Sequence, residues 1–266
     1  SLPPDDAAAV NLAPGPWPND PYADVVSKAA QLIDEDDSAI ADLIRPHVIR
    51  KNLKQVVMTT PYGRTAVGAR EQVRTALKKA GFPNEHLLEG AKYLSKHTIA
   101  AIGEVCGGST AIMEWLQSSA RKILKRYPSE VITWTTPLGF PVVQPYRNLR
   151  TIRIQTCLHR LTVPWLDSSL PAKLRKQVAG IVTNYIHSLD ATHMLCTALR
   201  CKDEDIVFAA VHDCYWTHAV NSTRLGRILR EEFVELYQQS QLLNLLGQWQ
   251  IQYPDVEFDP LPPRGK

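Results

Sequence analysis

Two cations and one aspartate are the first residues of this chain whose types and spacing could do chemistry. Arg50 and Lys54 stand four apart in a helical pattern, with Met58 four further on, so the three share one stripe. A guanidinium and an ammonium spaced this way serve either an ordinary basic face or a clamp for a triphosphate, each as a separate contact. Far downstream, an apolar run over 206–211 reads as a short buried strand, is interrupted by His212-Asp213, and resumes as Cys214-Tyr215-Trp216-Thr217-His218. An acid at the tip of a buried strand pair is costly to place unless something cationic meets it. The dipeptide therefore has two readings: a turn aspartate with a neighbouring histidine, or a carboxylate held to grip a catalytic metal. Between these stretches, one segment of helical pattern carries His187, Ser188, Asp190 and His193.

The elements that must position these residues follow from periodicity and turn chemistry. Residues 1–20, with Pro3-Pro4, Pro14, Pro16 and Pro18, read as an extended entry segment. Asp20 should cap a helix that opens at Pro21 and runs to about Ile33. The acidic run Asp34-Glu35-Asp36-Asp37 reads as a solvated break rather than a metal cluster, with Asp37 or Ser38 capping the next helix. That next helix is expected as one piece over about 39–60, stopping at Pro61-Tyr62-Gly63. Helices over about 65–80, 84–106 and 109–127 follow, with stops at Gly81-Phe82-Pro83 and Gly107-Gly108. Leu87, Leu88, Ala91, Leu94, Ile112, Trp115, Leu116 and Ile123 keep helical spacing and read as core. At Val131 the period changes to that of a strand, a turn and a strand, as far as Tyr146. A second β-like stretch, 151–163, leads to a Pro/Asp/Ser-rich tip at 164–171, and Arg153, His159 and Arg160 make it an extended basic hairpin. Helix returns over about 177–199, the strand pair takes 206–218, and helical segments over about 222–239 and on to Gln252 precede a proline-rich end.

Composition bounds the class. The 266 residues are 44% hydrophobic and 21% charged, an ordinary globular balance able to bury one large core or two smaller ones. Five cysteines, an odd number without CxxC spacing, argue against a disulfide framework and a zinc site and suit a reducing compartment. No apolar run approaches a membrane span and no secretory signal is evident. The net charge of +3 is small, but acids crowd the first forty residues while bases cluster at 45–54, 121–126, 147–160 and 173–176. That distribution suits a polyanionic partner, although each cluster alone is more often a solvated face.

Four separated stretches resemble one family in order and spacing. Arg50-Lys51-Asn52-Leu53-Lys54-Gln55-Val56-Val57-Met58-Thr59-Thr60-Pro61-Tyr62-Gly63 is similar to the fingers-helix motif of single-subunit, phage-type RNA polymerases. Thr135-Thr136-Pro137-Leu138-Gly139-Phe140-Pro141 is similar to the strand and turn that lead into the promoter-reading hairpin of that family. Asn184-Tyr185-Ile186-His187-Ser188-Leu189-Asp190 resembles the segment before the second palm motif, and His212-Asp213-Cys214-Tyr215-Trp216-Thr217-His218 resembles that motif in its mitochondrial form. The resemblance implies an α+β, mainly helical chain with the right-hand polymerase fold. Its division would be an entry segment over 1–37, fingers helices over 38–130, strands and specificity hairpin over 131–183, and part of the palm over 184–266. It further implies DNA-directed synthesis of RNA in the mitochondrial matrix, with Mg2+ as cofactor. The implied partners are a DNA template and promoter, the RNA product, nucleoside triphosphates and mitochondrial transcription factors.

Carried over residue by residue, Arg50 and Lys54 would contact the triphosphate, and Tyr62 would sit beside the ribose and sense its 2′-hydroxyl. His187 would reach the minor groove of the primer–template pair. Asp213 would bind magnesium, and His212 would position it or the growing 3′ end. Arg153, Arg160 and Lys176 would fall in the hairpin region that meets DNA. Two departures accompany the resemblance. Pro61 should end or kink the fingers helix one residue before Tyr62. The family's first palm motif, an aspartate followed by glycine and a Gln-His pair, is missing, so Asp213 stands without the second carboxylate that a two-metal reaction needs. A chain that opens at Ser1 just beyond that motif and stops short of the family's closing residues is expected to be a fragment, inactive by itself. Two other readings use the same residues: a metal-dependent phosphohydrolase built on His187, His193, His212 and Asp213, and a nucleic-acid-binding module without chemistry.

Overall fold

A computed structural model describes residues 20–63, 65–167 and 169–263; the entry segment over 1–19 lies outside them. The chain is mainly helical with three small two-stranded sheets, and it divides into two compact units, one from the residues up to Met113 and one over Glu114–Leu261.

In the first unit α1 spans Pro21–Asp34, α2 Ala39–Ile44, α3 Arg50–Thr59, α4 Ala66–Lys79 and α5 Leu87–Val105. The caps follow the expected chemistry. Tyr22 N donates to Asp20 Oδ1 at 3.0 Å, with Pro21 in the first turn. Ser38 caps α2 and Thr65 caps α4. The single helix expected over 39–60 is two. Pro46 falls where α2 would continue, the chain passes through a 310 turn at Arg45–His47, and Ile49 is extended before α3 begins. Asn52, buried on α3, closes the break by donating to the His47 carbonyl at 2.9 Å.

The core of this unit is one face from each helix. Val25, Ala29 and Ile33 of α1, Leu53, Val56 and Val57 of α3, Ala69, Val73 and Leu77 of α4, and Leu87, Ala91 and Leu94 of α5 are all buried. Leu88, expected with them, is 70% exposed, because it lies about 100° around the helix from Leu87. The stop before α6 (Gly107–Arg126) falls at Cys106 instead of the glycine pair, which opens the new helix.

In the second unit the strands are β1 Thr133–Thr135, β2 Pro141–Val143, β3 Leu149–Gln155, β4 Arg160–Leu166, β5 Ala209–Val211 and β6 Cys214–Trp216. The helices are α7 Leu174–Asp203, α8 Ser222–Gln238 and α9 Gln241–Gln252. Each sheet is an antiparallel pair, β1 with β2, β3 with β4 and β5 with β6. Three buried tryptophans organise the core, and each indole N–H finds an acceptor at 3.0 Å: Trp115 on the Asp259 carbonyl, Trp134 on Ser188 Oγ and Trp249 on the Thr133 carbonyl.

Some of the expected basic residues have partners within the unit. Lys122 pairs with Asp259 at 2.6 Å, Arg126 with Asp255 at 3.0 Å, and Arg147 holds the carbonyls of Ser129 and Leu170. The basic hairpin exists, but its tip is at Thr156–His159, closed by Thr156 N on the His159 carbonyl at 2.8 Å, and not at 164–171. Pro164 lies inside β4, opposite Thr151. A ribbon of two strands has two open edges, and an open edge tolerates a missing N–H. Helix α7 starts earlier and ends later than expected, which places Lys176 on it rather than on the hairpin.

Gly90 on α5 offers a test of the first core. A Cβ there would lie 2.9 Å from the ring of Phe82, itself buried, and 3.1 Å from Ile44 Cδ1. Gly90→Ala should gain helix propensity yet lose more to overpacking, for a net destabilisation of about 1 kcal/mol. Urea denaturation would read this as a lower midpoint at unchanged slope.

Candidate functional site

The candidate residues fall into two groups, one in each unit. In the first unit Arg50 and Lys54 project from α3, both exposed. They are organised by a residue the sequence did not single out. The ring of Tyr22 lies 5.3 Å from the Arg50 guanidinium carbon and 6.0 Å from Lys54 Nζ, so one aromatic face serves both cations. Asp20 completes the group with both oxygens. Oδ1 caps α1, while Oδ2 accepts from Arg50 Nε at 2.7 Å. The Arg50 bond is the largest of the effects that hold the Asp20 carboxyl below its ordinary range. Binding through Nε orients the guanidinium and leaves its two terminal nitrogens for another anion. The visible signal in the sequence was Asp20 as a helix cap; nothing local indicated that the same carboxylate reaches thirty residues ahead.

Tyr62 stands where the proline implied. Helix α3 ends at Thr59, the chain tightens into a 310 turn over Thr60–Tyr62, and Gly63 adopts a left-handed conformation at φ +82°. Thr59 and Thr60 turn their hydroxyls back onto the carbonyls of Gln55 and Val56, both at 2.8 Å, which serves the last helical turn. Tyr62 is half-buried and sits off the regular continuation of the Arg50–Lys54–Met58 stripe.

In the second unit His212 and Asp213 form the turn between β5 and β6, whose last pair is Val211 with Cys214. His212 has φ +55°. A left-handed non-glycine residue of this kind costs of order 1 kcal/mol and persists only where its surroundings fix it. The stretch around it is not buried as expected: Val207 is 63% and Val211 58% exposed, Ile206 is buried in the core, and Phe208 and Tyr215 pack against it half-buried. The hairpin rests on the protein through its inner face, where Tyr215 packs against Phe208 and meets the edge of His193 on α7. Asp213 is exposed, with the Cys214 thiol 3.6 Å from its Oδ1.

His187 is exposed on α7. Asp190, one turn along, has its carboxyl raised chiefly by burial; nearby His187 and His193 oppose the rise and Asp213 reinforces it. His193 does not join a metal-binding group. Its Nε2 lies 2.9 Å from the Leu229 carbonyl, which can only accept, so that nitrogen carries a proton and holds α7 to α8. Among the described residues no three His, Cys, Asp or Glu side chains are arranged to hold a metal ion. Asp213 nevertheless fits magnesium as one oxygen ligand, since that ion is commonly held by one or two carboxylates together with substrate phosphates and water.

Of the residues expected on nucleic acid, Arg153 and Arg160 are exposed on the β3–β4 ribbon, with Arg160 Nε on Gln155 Oε1 at 2.9 Å. Lys176 instead lies 5.1 Å from the ring of Tyr146. All five cysteines are free, and no helix among the described residues is long and apolar enough to cross a membrane.

A family model described as DNA-dependent RNA polymerase matches residues 4–260. DNA-directed RNA polymerase 1B, mitochondrial, of Nicotiana tabacum is 41% identical over 97% of this chain and 26% of its own length. DNA-directed RNA polymerase 3, chloroplastic, of Nicotiana sylvestris is 40% identical over 98% of this chain and 27% of its own length. DNA-directed RNA polymerase 2A of Nicotiana tabacum is 41% identical over 97% of this chain and 80% of its own length. The chain thus spans about a quarter of the length of the first two relatives and most of the third. It belongs to the DNA-dependent RNA polymerase family, in the single-subunit, phage-type branch.

Proposed function

We propose that this chain supplies the fingers and part of the palm of a DNA-directed RNA polymerase that works in the mitochondrial matrix, within a right-hand polymerase fold. Residues 38–130 form the fingers in this reading, 131–183 the strands and specificity hairpin, and 184–266 the palm portion. The observation that supports it most is the construction around α3. Two exposed cations share one aromatic face, one of them is oriented by a carboxylate, and a tyrosine follows at the helix end, all within a chain that matches the polymerase family nearly throughout. The relatives are mitochondrial or chloroplastic enzymes, and the resemblance of His212-Asp213-Cys214-Tyr215-Trp216-Thr217-His218 to the mitochondrial form of the second palm motif leads us to the first.

The reaction joins the 3′-hydroxyl of the growing RNA to the α-phosphorus of a nucleoside triphosphate directed by the DNA template. The bond to the β-phosphate oxygen breaks and pyrophosphate leaves. Arg50 and Lys54 bind the triphosphate and offset the negative charge that grows on the departing pyrophosphate. Asp20 and Tyr22 keep those cations oriented before the substrate arrives, so less ordering is needed at binding. Tyr62 stands beside the ribose, and His187 contacts the minor groove of the primer–template pair. Magnesium, when bound, supplies a Lewis acid for the transferring phosphoryl group, and Asp213 would provide one of its oxygen ligands. His212 holds the tight turn that presents Asp213. Arg153 and Arg160 on the ribbon and Lys176 on α7 lie against DNA, and transcription factors of the organelle are the expected protein partners.

Asp213→Ala, introduced into a polymerase that contains this chain, should lower nucleotide addition by about a thousandfold or more while leaving the melting temperature unchanged, since Asp213 is exposed. Activity within a few-fold of wild type would sink the metal role. Arg50→Ala should raise KM for nucleotide by roughly tenfold, the value of a lost charge-assisted contact.

Asp20→Asn tests the orienting pair through pH. The folded carboxyl lies below its ordinary value of 3.8, so the stabilisation by the pair is fully present above that value and is lost as pH falls through the lower folded value. Wild type and Asp20→Asn should therefore differ in melting temperature by a constant amount from neutral pH down to about pH 5 and converge below the carboxylate range. A difference that changes between pH 7 and pH 5 would contradict the assignment.

A further inference from the structure

We propose that Tyr146 and Asn184 form a recognition pair for the 2′-hydroxyl of an RNA strand lying along α7, the tyrosine hydroxyl donating to it and the asparagine Oδ1 accepting from it. This deepens the reading of His187 as a minor-groove contact and rests on it.

The residues make a continuous track. Lys176, Gly180, Asn184 and His187 follow one another at intervals of four, four and three, so they share one face of the helix over roughly 16 Å. Tyr146 reaches that face from the connection between β2 and β3. Its ring lies 5.1 Å from Lys176 Nζ, and it crosses α7 at Gly180, where a Cβ would come within 3.0 Å of Tyr146 Cε2 and 3.1 Å of Gln144 Oε1. Tyr146, Asn184 and His187 line one groove of about 440 Å³ together with Thr136 and Phe140. Its walls are partly apolar, as suits the face of a sugar, and its polar groups are few and fixed.

Their orientation follows from proton bookkeeping through a buried amide chain. Gln177 and Gln144 are essentially inaccessible to water. The Gln177 side chain approaches the backbone carbonyls of Gln144 at 2.8 Å and Tyr146 at 3.3 Å; carbonyls only accept, so the atom there is Nε2. Gln177 Oε1 must then accept from Gln144 Nε2 at 2.9 Å, which leaves Gln144 Oε1 to accept from Asn184 Nδ2 at 2.7 Å. No amide in the chain can be reversed without setting oxygen against oxygen. Asn184 therefore presents Oδ1 as its remaining polar atom. Its Nδ2 also donates to the Tyr146 hydroxyl oxygen at 3.3 Å, and the phenol keeps its own proton to give. A fixed acceptor beside a fixed donor complements a hydroxyl, which can do both, and a 2′-hydroxyl is the group that distinguishes RNA from DNA. The Lys176 ammonium at the end of the track suits the phosphate of the same strand.

The test is fluorescence anisotropy with the full chain, using a short RNA–DNA hybrid and an all-DNA duplex of the same sequence. Wild type should bind the hybrid more tightly. Tyr146→Phe keeps the ring and removes the donor, and it should reduce the preference for the hybrid by about three- to tenfold while affinity for the DNA duplex stays within about twofold. Gly180→Ala, which keeps the hydroxyl but crowds the ring, Gln144 Oε1 and Asn184 Nδ2, should shift the preference in the same direction. A wild-type chain without preference, or a Tyr146→Phe chain whose preference is unchanged, would overturn the proposal. His187→Ala should weaken both duplexes; if it weakens neither, the His187 reading fails, separately from the outcome at Tyr146.

Discussion

A buried amide must find partners for both of its ends, and in the second unit that requirement falls on Gln144 and Gln177. An unmet donor or acceptor there would cost about 1–3 kcal/mol, so each amide is committed to one orientation and the elements bearing them to one register. Through this pair the connection after β2 is bound to α7 at a fixed height, with Gly180 leaving space for Tyr146 to cross the helix. Trp134, which donates to Ser188 one residue beyond His187, fixes β1 to the same helix. The thirty residues of α7 thus act as a rail, and His187, Asp190 and His193 take their places from it. Next to it the β5–β6 hairpin is small and mostly exposed. It is held from below by Tyr215 and Phe208, so that its tip can carry a strained His212 and an exposed Asp213.

The first unit solves a different problem, which is to keep two long cationic side chains from wandering. Lysine and arginine carry large rotamer entropy, and ordering them in advance removes that cost from any later contact with an anion. Tyr22 and Asp20 do that ordering in advance, from a helix start that precedes Arg50 by thirty residues. Asp20 caps α1 with one oxygen and holds Arg50 with the other, so helix entry and cation placement depend on a single carboxylate.

Several elements were legible because their causes are local. Asp20 with Pro21, Ser38 and the Pro61-Tyr62-Gly63 stop all depend on neighbours within a few residues, and they stand where turn and cap chemistry put them. Most of the differences have the opposite cause. The break after α2 is the exception: Pro46 is a local stop inside an apolar pattern that otherwise runs on regularly. Pro164 was read as a loop residue, yet it is tolerated on a ribbon whose strands have no further neighbour. The run 206–211 looked buried because it is apolar, but a two-stranded hairpin lying on a helix pair covers only one of its faces. Lys176 was grouped with the hairpin by proximity in sequence and belongs to α7.

The sequence by itself determined the types and intervals of the reactive groups: two cations on one helical stripe, an aspartate after a histidine between two short strands, and a histidine one helix earlier. Those are properties of side-chain chemistry and helical repeat, which need no knowledge of what lies opposite. Only the tertiary structure decided which partners orient them. Tyr22 under both cations, Gln144 against Gln177 and Asn184, and the proton on His193 Nε2 all join residues distant in the chain. Such partners are chosen by packing and by the demand that buried polar atoms be satisfied, and neither leaves a mark in local periodicity.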